Sequence, residues 1–89
     1  MPQAHVDPDE LERFAGDLKT FIEELTGLTG HVQNQFYSLA ESWQDQEQRR
    51  FEGEFSHFVS AIQRFSDQVE PMIPYLNSKA AHVRDYLGS

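Results

Sequence analysis

From Leu11 onward the apolar residues of this chain advance by threes and fours: Leu11, Phe14, Leu18, Phe21, Leu25, Leu28, Val32, Phe36, Leu39 and Trp43. That rhythm keeps one apolar stripe on one face of an α-helix. It reads as a heptad seam with a single stutter, the eleven-residue interval from Leu25 to Phe36. A second stripe follows through Phe51, Phe55, Phe58, Ile62, Phe65, Val69, Met72, Leu76, Ala80, Val83 and Leu87. Neither stripe carries a charged residue. Gly88 and Ser89 end the pattern.

Both stripes open on start signals. In "DPDE", Asp7 can cap free N–H groups, Pro8 suits the first helical position, and Glu10 completes a capping box. Asp45 repeats the device, with Gln48 three residues on and Glu47 in the positively polarised first turn. The spacing predicts helix 1 over about 8–42, a turn at about 43–45 and helix 2 over about 46–87, within a single domain spanning residues 1–89. The fold class is all-α. Two helices of this length, each ~50–60 Å, make an antiparallel hairpin in which facing residues have numbers summing to about 88.

Pro71 and Pro74 remove two backbone donors, so helix 2 is predicted to kink or break near them. The alternative is a C-terminal segment that folds back into a short three-helix bundle. Gly16 falls opposite this region and could accommodate the bend. Gly27 and Gly30 are either close-packing positions or a soft spot in helix 1.

With 89 residues and no Cys, the chain has a small core and no disulfide to reinforce it. Association is the remaining common device. A hairpin hides one stripe per helix, yet Ala15, Ile22, Tyr37 and Ala40 flank the first seam and Val59, Ile73 and Tyr86 the second, and seven Phe residues demand burial. The excess predicts dimerisation into a four-helix bundle, most simply as a homodimer, with a heterodimer with a related hairpin also open. Packing in the seams and the dimer is assigned to Leu18, Phe21, Leu25, Leu28, Phe36, Phe51, Phe55, Phe58, Ile62 and Phe65.

The formal charge of −8 would repel phosphate backbones, which disfavours a nucleic-acid partner. No apolar run approaches the length of a membrane span, and "MPQAHVDPDEL" has neither a basic nor an apolar signal-peptide region. No Cys nucleophile, phosphate loop or metal-ligand spacing is evident: the Ser and Asp residues and His5, His31, His57 and His82 are scattered, and an enzyme, a cofactor or a metal centre is not expected. His31 and His57 could face one another, but two imidazoles make half a site at best. Trp43, the single Trp, stands in the predicted turn, either as a plug for the end of the core or as a recognition feature.

The length, the "VDPDELERFAGDL" opening, the paired amphipathic stripes, the Trp at the turn and the aromatics Phe51 and Phe55 after it together resemble the WXG-motif family of type VII (Esx) secretion, small helical hairpins of the early-secreted-antigen type. The resemblance covers about Val6 to Leu87. It implies a dimerising hairpin made in the cytoplasm and secreted without a cleaved signal peptide, through a membrane complex driven by a secretion ATPase. It also implies that Trp43, Gln44 and Asp45 form the turn half of an export signal whose other half, a C-terminal Tyr-x-x-x-Asp/Glu, often comes from the partner chain.

Two departures stand out. Asp45 replaces the motif's Gly, a change that suits both a turn and a helix cap. Tyr75 is followed four residues later by Lys79, and Tyr86 by only three residues, so this chain lacks the tail half of the signal; the match at Tyr37 to Glu41 lies inside helix 1. The expected role is a secreted effector or co-secreted carrier acting through protein–protein association. The alternative is a cytosolic helical adaptor or chaperone that dimerises with another helical protein.

Overall fold

The computed structural model describes residues 6–88; His5 and Ser89 lie outside them. Three helices follow one another: α1 at Pro8–Ala40, α2 at Gln46–Val69 and α3 at Met72–Gly88, with no strand among the described residues. Helix α1 starts where Asp7, in extended backbone, accepts a 2.9 Å hydrogen bond from the Asp9 N–H through its Oδ1. Pro8 sits in the first turn, where an N–H has no partner within the helix. At the other end the Leu39 carbonyl accepts from the Ser42 and Trp43 N–H groups at 3.1 and 2.9 Å, satisfying an otherwise orphaned acceptor.

Helices α2 and α3 are one bent arm, interrupted only at Glu70 and Pro71. The missing donor of Pro71 and the crowding by its ring end α2. Pro74 causes no second break, because it falls in the first turn of α3, where helices leave their N–H groups unpaired. The Glu70 carbonyl, which a residue at position 74 would normally engage, accepts instead from the Ile73 N–H at 3.3 Å.

Beyond the bend, α3 does not turn back. The molecule is a rod measuring 66 × 21 × 15 Å, so the short three-helix bundle is replaced by a hairpin with one bent arm. At its open end Arg84 pairs with Asp9 at 2.6 Å and with Glu12. These pairs are solvent-exposed, so each contributes at most about 1 kcal/mol; they orient α3 more than they hold it.

The two arms approach most closely between α1 and α3, where Ala15 and Ala80 are both fully buried. Small side chains permit that approach. Nearer the turn, Phe36 packs on Phe51 and Phe55 with ring centroids 5.5 and 5.2 Å apart, and the large rings hold α1 and α2 further apart. No large side chain is fully buried among the described residues. No helix is long and apolar enough to cross a membrane, among the same residues.

The glycines have a plainer role than the sequence suggests. A β-carbon at Gly16, Gly27 or Gly30 would meet nothing within 4 Å, so Gly16 does not accommodate the bend and the other two are not close-packing positions within the hairpin.

Two outcomes are expected from denaturant unfolding. Ala80→Leu should destabilise the protein by about 1–3 kcal/mol, because a larger side chain would force the arms apart. Gly27→Ala should stabilise it by about 0.5–1 kcal/mol, since the new methyl group has room and the unfolded chain loses freedom.

Candidate interaction face

The hairpin's internal seam differs from the one that the large residues predict. Facing inward on α1 are Leu11, Ala15, Leu18, Ile22, Leu25, Thr29, Gln33, Phe36 and Ala40; on the other arm they are Phe55, Val59, Ile62, Ser66, Val69, Ile73, Leu76, Ala80 and Val83. The anchors Leu18, Leu25, Phe36, Phe55 and Ile62 are where the pattern puts them. Between anchors, however, the buried residue is the fourth along and not the third. Phe14 is 55% exposed beside Ala15 at 1%, and Phe65 is 43% exposed beside Ser66 at 8%.

The expected seam residues Phe14, Phe21, Leu28, Val32, Leu39, Phe51, Phe58, Phe65 and Met72 are therefore all exposed, as is Leu87 near the end of α3. The cause is steric. In pairs such as Phe14-Ala15, Phe21-Ile22, Phe58-Val59, Phe65-Ser66 and Met72-Ile73, either residue could fill the seam, and the smaller of the two lets the backbones come closer. Each displaced residue is rotated to one side. That alternation of large and small is the sequence signal that would have located Ala15, Ile22, Val59, Ser66 and Ile73 in the seam.

The two displaced stripes lie side by side. Phe21 and Phe65 meet edge to face across the hairpin, with centroids 6.2 Å apart and planes at 86°, so the outward residues of both arms share one face. That face runs from Phe14 and Met72 near the open end to Leu39 and Phe51 near the turn. Soluble monomers rarely carry an apolar strip of this length. On the opposite side lies a shallow, polar-edged groove, with Gln33, Tyr37, Glu52 and Ser56 around Phe36, Phe55 and Val59.

At the turn, Trp43 is half-buried and its ring packs against Phe51, centroids 5.9 Å apart. It ends a run of aromatic contacts that continues through Phe36, Phe55 and Phe58. One side of the indole is thus anchored, while part of the side chain stays open to solvent. The Gln44 side-chain amide donates to the Glu41 carbonyl at 3.4 Å, a long and weak bond. Asp45 adopts φ −128° and ψ −173°, extended backbone open to any residue, and its Oδ1 accepts from the Gln48 N–H at 2.8 Å. None of the described residues has a positive φ, so this turn does not require glycine.

His31 and His57 are both exposed, and no group of three or more possible metal ligands occurs among the described residues. The structural chemistry is concentrated in the aromatic face and the turn.

Comparison with known proteins agrees with this architecture. A sequence family described as proteins of 100 residues with WXG, WXG100, matches residues 3–86. The crystal structure of the secreted protein EsxB from Bacillus anthracis strain Sterne is similar at 28% identity and a TM-score of 0.83, over 96% of this chain and 99% of that one. A proline-to-alanine mutant of the same protein gives 28% identity and a TM-score of 0.84, over 96% of each chain. No curated protein sequence matches.

The cap at the turn has a measurable role. Asp45→Ala should lower stability by about 1 kcal/mol, whereas Asp45→Gly should lower it by only a few tenths, roughly 0.3 kcal/mol. Thermal unfolding of both variants at equal concentration checks the difference.

Proposed function

The chain belongs to the WXG100 family, and we propose that it acts as a small protein of a type VII secretion pathway, a secreted effector or co-secreted carrier that works by association and not by catalysis. The observation that carries this reading is the aromatic face, which runs along both arms and has no cover within the hairpin. A second hairpin laid on that face would complete a four-helix bundle and bury the large apolar residues, from Phe14 to Met72, that a single hairpin leaves exposed there. A second copy of the chain or a related hairpin would serve. The likeness to EsxB, described as a secreted protein, supports export.

In this reading the turn is the recognition feature. Phe51 holds Trp43 against the end of the aromatic run while part of the indole stays accessible, an arrangement suited to a rigid anchor for a receptor. Gln44 and Asp45 shape the turn, and Asp45 holds the start of α2 in place of the motif's glycine. In this reading the partner hairpin supplies a Tyr-x-x-x-Asp/Glu half of the signal, and the receptor is the secretion ATPase complex.

Two measurements test this. Trp43→Ala should reduce the protein in culture filtrate by about tenfold or more, the scale of losing one aromatic anchor at an interface, with helicity and association largely intact. If the substitution mainly melts the protein, the indole is a core plug; if the unaltered protein stays in cells that export other substrates, the adaptor reading replaces this one. In light scattering at micromolar concentration and about 0.5 M NaCl, where charge is screened, the chain should run near twice its 10.3 kDa, and Phe21→Asp should hold it at the single-chain mass.

A further inference from the structure

Charge segregates around the aromatic face. Glu10, Asp17 and Glu24 each stand one residue before an inner-seam leucine of α1, and Glu47 and Glu54 one residue before Gln48 and Phe55. At 100° per residue, that position lies along the outer edge of the aromatic stripe. All five carboxylates are exposed, spaced seven residues apart within each helix.

The cations are elsewhere. Of the seven Lys and Arg residues, only Lys79 falls on this face, seven residues beyond Met72 along the stripe. The other six stand one or two residues after a seam position, on the opposite face or the back of the hairpin, and Arg84 is already engaged with Asp9 and Glu12. A second copy thus brings one lysine, together with five more carboxylates, to a face already edged by five.

On the reading that this face is the association surface, we infer that its preferred occupant is not a second copy. It is a different amphipathic hairpin whose apolar face is edged by Lys and Arg at the matching seven-residue spacing. The apolar contact supplies affinity in either case, and the edge charges select the partner. Self-association is then a fallback that rising salt strengthens by screening the acidic edges, while the mixed pair is the one that salt weakens.

The probe for the mixed pair is a copy of this chain carrying Glu10→Lys, Asp17→Lys, Glu24→Lys, Glu47→Lys and Glu54→Lys, its helicity checked by circular dichroism. Sedimentation equilibrium at about 0.02 M and 0.5 M NaCl spans a Debye length from above 20 Å to roughly 4 Å. The unaltered chain alone should self-associate at least about tenfold more tightly at the higher salt. Mixed with the lysine-edged copy, it should form the mixed dimer about tenfold or more above the statistical share at low salt, and lose that preference at high salt.

The two responses have opposite sign, which general salting-out cannot produce. A self-dimer equally tight at both salts overturns the inference, and that arm needs no variant. A statistical mixture at low salt also overturns it. If Phe21→Asp and Phe65→Asp leave association unchanged, the failure lies instead in assigning the aromatic face as the surface.

Discussion

Two packed helices can hide one stripe each, and this chain carries two stripes on each arm. The rest of the structure depends on that mismatch. The smaller stripe goes inside, where Ala15 and Ala80 let α1 and α3 approach closely. The larger one remains in water, with Phe14, Phe21, Phe58, Phe65 and Met72 exposed along one face. The rod therefore has a thin interior, with no large side chain fully buried among its described residues, and few apolar groups to stabilise it alone.

The same constraint accounts for the polar residues inside the seam. Ser66 and Gln48 are buried, and Thr29 and Gln33 half-buried. A broad apolar core would penalise them, but a narrow seam lets their polar groups reach backbone or solvent: the Thr29 hydroxyl donates to the Leu25 carbonyl at 2.6 Å, and no buried side-chain polar atom is left without a partner among the described residues. The large residues are left exposed on the outer face.

At the turn, the departure from the family motif has a local explanation. The glycine position of Trp-x-Gly is occupied by Asp45, whose extended backbone imposes no steric demand and whose carboxylate satisfies an N–H that glycine would leave to water. The substitution keeps the entry into α2 and leaves Trp43 fixed on Phe51. At the far end, Pro71 bends the second arm once, and Pro74 falls where a helix tolerates proline. The bend carries α3 along the open end of α1, where Arg84 meets Asp9 and Glu12.

By itself the sequence determined the elements. Asp7, Pro8 and Asp45 mark helix starts through the local hydrogen-bonding needs of a helix end, and Pro71 marks the break through its missing donor. The seam anchors Leu18, Leu25, Phe36, Phe55 and Ile62, and the stutter between Leu25 and Phe36, were legible too, because periodicity is a property of one helix at a time. Which neighbour of each anchor turns inward was decided only by the tertiary structure. Phe14 and Ala15, or Phe65 and Ser66, lie only 100° apart on a helix, and hydrophobicity alone favours the phenylalanine. The choice falls to the smaller residue because two backbones must approach one another, a requirement that neither helix contains alone.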